Sequence, residues 1–70
     1  MEILVFKTNA CERQLSEINR HLERINGIDS WDFDLEDIDR ILRVKTGHVP
    51  GKQIEQVLQN AGYECLELSD

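Results

Sequence analysis

A run of four apolar residues, flanked by polar ones, lies near the start of the chain. From Glu2 to Thr8, Leu4 and Phe6 fall on one face of an extended segment, and Ile3 and Val5 fall on the other. Side chains of a strand alternate between its two faces, and β-branched and aromatic residues are favoured in strands. The pattern predicts a central β-strand over this segment.

The next segment changes to helical spacing. Apolar residues recur there at Leu15, Ile18, Leu22 and Ile25. Asn9 followed three residues later by Glu12 is typical of a capping box, so we expect Asn9 to cap this helix. Asn26-Gly27 then supplies the left-handed residue that ends a helix.

Apolar and polar residues alternate after the first helix, and this pattern predicts a hairpin. Trp31, Phe33 and Leu35 alternate with acidic residues, so one face of this second strand is apolar. A turn around residues 36–39 then leads into a third strand over residues 41–44, in which Leu42 and Val44 face inward.

The last third of the chain repeats the order helix, then strand. Helical spacing is carried by Ile54, Val57, Leu58 and Ala61, and Gly62 ends the pattern. Residues from Tyr63 to Leu68 are then predicted to form a closing strand, with Tyr63 and Cys65 on one face and Leu66 and Leu68 on the other.

The elements form the order βαββαβ. Right-handed crossovers assemble this order into an α+β, ferredoxin-like fold, with a four-stranded antiparallel sheet of order 4-1-3-2 and both helices on one face. We expect residues 1–70 to form a single domain. This strand order brings the end of the first strand beside the start of the fourth, so Cys11 and Cys65 are predicted to come from the same end of the molecule.

Charge excludes some classes of partner. The formal net charge is −6, whereas affinity for nucleic acid or anionic lipid depends on clustered Lys and Arg. No apolar run approaches the length of a membrane span. We therefore expect a cytoplasmic protein that binds neither nucleic acid nor membrane, with cysteines that are reduced in that compartment.

Two surfaces are candidates for protein contact. The densest charge run consists of Asp32, Asp34, Glu36, Asp37 and Asp39. It is interpreted as a solvated acidic face that suits a basic partner.

A second candidate lies on the face of the sheet opposite the helices. There the sequence predicts an exposed patch of Ile3, Val5 and Ile41 rimmed by Arg43, which would support a homodimer or another protein partner.

Ala61-Gly62-Tyr63 leads into the closing strand, and Gly27-Ile28 follows the first helix. With these features the sequence resembles, over nearly the whole chain, the heavy-metal-associated domains of copper chaperones and copper-transporting ATPases, which have a similar closing turn. In that family a Met-x-Cys-x-x-Cys loop after the first strand binds a soft ion. The resemblance places Cys11 at the first ligand cysteine, with Asn9 at the methionine and Gln14 at the second cysteine, and it implies that Tyr63 lies near this loop.

Several roles for the sulfur atoms stay open at this stage. Soft ions such as Cu(I) prefer sulfur, and the amide of Gln14 is a poor substitute for a thiolate. Cys65 would supply a second sulfur, for Cu(I) or Zn, or a disulfide, if it pointed toward Cys11. Cys11 from a second molecule would also supply the missing sulfur for a shared metal ion, and a buried packing role for at least one cysteine is the alternative.

These observations predict a heavy-metal-associated-like domain with a degenerate metal site that acts as a protein-interaction or regulatory module. The alternative is binding or delivery of a soft metal through Cys11. An enzyme is disfavoured, because acylphosphatases of this architecture need a glycine-containing phosphate loop after the first strand, and Thr8-Asn9-Ala10-Cys11 lacks glycine.

Overall fold

The computed structural model describes residues 2–36 and 38–68. Its strands are β1 (Glu2–Thr8), β2 (Ile28–Asp34), β3 (Ile41–Thr46) and β4 (Cys65–Glu67). Its helices are α1 (Leu15–Glu23), which follows a short 3₁₀ helix at Glu12–Gln14, and α2 (Gly51–Asn60).

The sheet has the predicted architecture. Its strand order is β2-β3-β1-β4, which is the predicted 4-1-3-2 order read from the other edge, and all pairs are antiparallel. The hairpin between β2 and β3 is confirmed, although Asp37 in its turn lies outside the described residues.

The core lies between the sheet and the two helices. Its fully buried side chains include Phe6 from β1, Leu42 and Val44 from β3, and Ile18, Leu22, Ile54 and Leu58 from the helices. Trp31 and Phe33 pack against this cluster but stay partly exposed, because β2 is an edge strand. The inward alternation predicted for β1, β2 and β3 is confirmed.

Each helix is followed by a glycine with positive φ, but only α2 ends at one. α1 ends at Glu23, earlier than the Asn26-Gly27 stop predicts, and Gly27, with φ +102°, lies in the turn before β2. Gly62, with φ +98°, comes directly after the last turn of α2. At the second site, Gly62 N–H donates to the Gln59 carbonyl and Tyr63 N–H donates to the Leu58 carbonyl, both at 3.0 Å, which is a Schellman motif. Because Tyr63 is part of this helix end, the closing strand begins only at Cys65, two residues later than the alternation predicts.

The prediction that Asn9 caps the first helix is wrong. The helical segment begins at Glu12, after Cys11, whose backbone is extended. Asn9 instead uses its side-chain oxygen to accept a hydrogen bond from Glu64 N–H, at 3.0 Å. Contact with the chain before β4 therefore replaces the expected capping contact.

None of the helices in the described part of the chain combines the length and the apolar character that crossing a lipid bilayer requires.

Candidate functional site

The loop between β1 and α1 carries Cys11, and its polar groups bind other parts of the protein. Buried Thr8, at the end of β1, donates from Oγ1 to the Arg40 carbonyl at 2.6 Å and accepts from Ala10 N–H at 3.2 Å. Arg40 Nη1 in turn donates to the Ala10 carbonyl at 3.0 Å. The loop is thus fastened to the segment between β2 and β3.

Arg40 takes an unusual backbone conformation to make this contact. Its φ is +48°, the only positive value among the described non-glycine residues. A non-glycine residue in the left-handed region carries a conformational cost, which its surroundings must offset. No pattern in the sequence marks Arg40 for this role.

Gln14 does not point outward as a free ligand. Its side-chain Oε1 accepts a hydrogen bond from Cys11 N–H at 3.1 Å, and its own N–H donates to the Cys11 carbonyl at 2.8 Å. The position that the family resemblance assigns to a second thiolate is therefore occupied by a side chain that closes the first helical turn.

Tyr63 lies beside this loop, as the resemblance implies. Burial raises its pKa, with further contributions from its hydrogen bond to Glu17, the Glu17 charge and the charge of Cys11. The ring also meets His21 edge-on, with 6.5 Å between ring centroids. Tyr63 is thus a buried neighbour of the cysteine loop.

The two cysteines have different environments. Cys11 is partly exposed, whereas Cys65 is 1% exposed and belongs to the core cluster. Burial, together with the nearby Glu55 charge, raises the pKa of Cys65 to about 12. Cys65 is therefore a protonated thiol at neutral pH, and both cysteines are free rather than joined in a disulfide.

These residues do not fit a two-thiolate site for Cu(I) within one chain. Cys11 offers one accessible sulfur, Gln14 offers an amide that is already hydrogen-bonded, and Cys65 is buried and protonated. Over residues 2–36 and 38–68, no group of three or more Cys, His, Asp or Glu side chains is arranged to hold a metal ion.

The open face of the sheet, away from the helices, exposes aliphatic side chains. Ile3 is 57% exposed on β1, and Leu66 and Leu68, at and just after β4, are 58% and 41% exposed. Val5 lies beside them, because Leu68 N–H donates to its carbonyl at 2.8 Å. We call Ile3, Val5, Leu66 and Leu68 the open-face patch.

The expected exposure of Ile41 is wrong. Ile41 stands opposite Lys7 on β1 and Asp34 on β2, but it is only 8% exposed, and long side chains such as Lys7 can cover an apolar neighbour with their methylene groups. Arg43 is partly exposed, and its Nη2 donates to Asp32 Oδ2 at 3.1 Å. The exposed patch instead includes Leu66 and Leu68, which the prediction left out. Because side chains of a strand alternate, these two residues lie on the face opposite Cys65.

Solved structures that superimpose on this chain include copper-binding domains. The yeast copper transporter domain CCC2A, studied in apo and Cu(I)-loaded states, superimposes with a TM-score of 0.82 at 19% identity over 100% of this chain and 99% of that chain. The N-terminal domain of PacS from Synechocystis gives 0.81 at 18% identity, over 99% of this chain and 100% of that one. The Cu(I)-loaded first domain of the human copper chaperone for SOD1 gives 0.77 at 20% identity, over 93% and 89% of the two chains.

No family model matches the sequence, and no curated protein sequence is significantly similar to it. The superpositions and the strand order nevertheless show that the chain has the ferredoxin-like fold of heavy-metal-associated copper domains. The resemblance seen in the sequence is thus confirmed at the level of the fold.

Proposed function

We propose that this chain is a single heavy-metal-associated-like domain that acts by contact with another protein and does not hold Cu(I) by itself. The observation that carries the proposal is that the cysteine loop has one sulfur where a Cu(I) site needs two. Cys11 is its one accessible sulfur, and Gln14, at the position of the second, is bound to the Cys11 backbone. A soft, low-coordinate ion prefers two thiolates, so the loop keeps at most weak affinity for such an ion.

The open-face patch supports the protein-contact part of the proposal. Three of its four side chains are at least 41% exposed, and they lie on β1, on the adjacent β4 and at the residue directly after β4. Contiguous exposed aliphatic surface is typical of interaction sites. The free thiols suit a reducing, cytoplasmic setting, which is part of the same proposal.

Restoring the missing thiol provides the decisive experiment. The reduced protein is titrated with Cu(I) against a competing chelator, alongside Gln14→Cys, Cys11→Ala and Cys65→Ala. The wild-type protein is expected to lose the ion to the chelator, and Gln14→Cys to bind it at least about 100-fold more tightly, which corresponds to about 2.8 kcal/mol. Cys65→Ala should bind as the wild type does.

A different result would point to a true metal site. Tight binding of one Cu(I) by a wild-type monomer, abolished by Cys65→Ala, would show that Cys65 turns outward to supply the second sulfur. That outcome would overturn the proposal.

A second function is favoured by the position of Cys11. Its partly exposed thiol stands at the end of the loop, where the sulfur of a second copy can approach it. Two copies would then share one soft ion through two Cys11 thiolates. Sedimentation of the reduced protein with and without Cu(I) tests this: a dimer that forms only with the ion and is absent in Cys11→Ala supports sharing, and a monomer under both conditions excludes it.

A further inference from the structure

The two edge strands of the sheet are protected to different degrees. At β4, side chains of α2 bind the strand's backbone: Gln59 Nε2 donates to the Cys65 carbonyl at 2.8 Å, and Glu67 N–H donates to Glu55 Oε2 at 2.6 Å. Exposed strand edges are templates for pairing with another chain, and covering them prevents it. With only three residues and these contacts, β4 is a closed edge.

At the other edge, β2 is long and open. It has seven residues, and α1 binds one of its side chains rather than its backbone: Trp31 Nε1 donates to Asn19 Oδ1 at 2.9 Å. Among the described residues, no side chain hydrogen-bonds to the outer backbone groups of β2. The pairing of β2 with β3 is irregular between Ile28 and Ser30 and regular from Ser30 to Asp34.

A groove lies at the end of this open edge. Its volume is about 470 Å³, and its lining comes from the start of the first helical segment, the end of β2 and the residues after it. The lining combines three apolar with three acidic side chains, namely Leu15, Phe33 and Leu35 with Glu12, Asp34 and Glu36. Arg43 also lines the groove, but its guanidinium is already hydrogen-bonded to Asp32.

We propose that the outer edge of β2, over Ser30 to Asp34, binds an extended basic segment of another protein by strand addition. Residues directly opposite each other on adjacent strands have neighbouring side chains, and opposite charges stabilise such a pair. The residues of the bound segment opposite Asp32 and Asp34 would therefore be Lys or Arg. The side chain between them would be apolar, would cover the partly exposed Phe33 and would enter the groove. This surface is distinct from the open-face patch, since β3 separates β2 from β1.

Charge argues against a second copy as the occupant. Pairing β2 with β2 of another copy would bring Asp32 and Asp34 of both chains together, and like charges directly opposite each other are destabilising. A basic segment gains from the same carboxylates, chiefly from Asp34, because Asp32 already accepts a hydrogen bond from Arg43. Main-chain hydrogen bonds would provide affinity, and the alternating side chains would provide specificity.

The probe for this inference is a capped peptide of sequence Thr-Lys-Val-Lys-Val-Lys-Thr, compared with a matched peptide in which Glu replaces each Lys. Amide spectra of the isotope-labelled protein are expected to report binding of the Lys peptide with a Kd of about 1 mM or tighter. The shifted amides should be those of residues 30–36 and of the start of the first helical segment. Slower hydrogen exchange of outer β2 amides would identify strand addition.

Two charge-matched variants control the experiment. Asp34→Lys changes the net charge by the same amount as Glu64→Lys, which lies before the closed β4 edge. Asp34→Lys is expected to weaken peptide binding at least about tenfold, while Glu64→Lys changes it less than about twofold.

Four results would overturn the inference. They are equal effects of the two variants, shifts centred on Cys65–Glu67 or on the open-face patch, equal binding of the Glu peptide, and no shift with the Lys peptide in millimolar excess. A dimer of the wild-type protein alone that Asp34→Lys disrupts would show that a second copy occupies the edge. Since none of these measurements involves metal, they are independent of the Cu(I) titration.

Discussion

Cys11 and Cys65 lie at the same end of the sheet but differ in their exposure to solvent: Cys11 is partly exposed and Cys65 is buried. Thr8 pairs with Cys65 in the sheet register, and Cys11 follows Thr8 by three residues, so the strand order does bring the two regions together. Cys65 nevertheless points into the core, while Cys11 precedes a helical turn at the surface. Proximity of two backbone segments does not make a ligand pair, because strand alternation and loop geometry decide where each side chain points.

Chemical labelling should separate the two thiols by the largest factor. We expect iodoacetamide to alkylate Cys11 in the folded protein, whereas Cys65 must wait for opening of the core. Global stability for a chain of this length is about 5 kcal/mol, so Cys65 should react at least about 10³-fold more slowly. Mass spectrometry of the labelled protein over time measures both rates.

Single-cysteine variants provide the control for the labelling experiment. Cys11→Ser and Cys65→Ser each leave one thiol, and in concentrated denaturant the two should react alike. Similar rates in the folded state would contradict the burial of Cys65.

Substitution by serine should show the same contrast in stability. Cys65→Ser puts a hydroxyl into a position that is 1% exposed, where an unpaired polar group costs about 1–3 kcal/mol. Cys11→Ser changes a partly exposed group and should stay within about 0.5 kcal/mol of the wild type. Urea unfolding measures both values. Equal losses would mean that Cys11 is as tightly packed as Cys65.

The stability of the protein at alkaline pH should also depend on Cys65. Its pKa is raised from 9.0 to about 12 in the folded protein, so the unfolded chain releases the thiol proton first as pH rises. The free energy of unfolding should therefore be unaffected by this group below about pH 9 and should fall between about pH 9 and about pH 12.

Other groups titrate in the same range, and the difference between proteins isolates the thiol. Between about pH 8.5 and 10.5 the wild type should lose more stability than Cys65→Ala, as measured by urea unfolding at each pH. The difference between the two slopes cannot exceed about 1.4 kcal/mol per pH unit, the limit for one proton. Parallel profiles for the two proteins would show that Cys65 ionises as freely in the folded state as in the unfolded chain.

The fold was largely predictable because its determinants are periodic. Alternation around Phe6 and Leu42, helical spacing around Ile18 and Ile54, and the handedness of crossovers suffice for the strand order. The start of β4 was not predictable by alternation, since Tyr63 N–H takes part in the helix end and only the stretch from Cys65 pairs with β1.

The cysteine loop was less predictable, because its contacts link residues far apart in sequence. Asn9 looked like a helix cap, yet its partner is Glu64, 55 positions away. Arg40 adopts a positive φ and binds the Ala10 carbonyl without any local sequence signal. Local capping rules weigh nearby partners only, so contacts of this kind become visible only in three dimensions.

The smallest effect concerns the hydrogen bond that shapes the surroundings of Cys11. Gln14→Ala removes the acceptor for Cys11 N–H and should cost about 0.5–1 kcal/mol of stability. If the free energy needed to open the loop falls by the same amount, about 0.5–1 kcal/mol, labelling of Cys11 should accelerate about two- to fivefold. Labelling of Cys65 should rise only in proportion to the loss of global stability. Gln14→Glu keeps an acceptor oxygen and should restore the slower Cys11 rate. An unchanged Cys11 rate in Gln14→Ala would mean that the contacts of Thr8 and Arg40 alone fix the loop, and that the side chain at the position of the missing thiolate plays no part in how accessible the remaining one is.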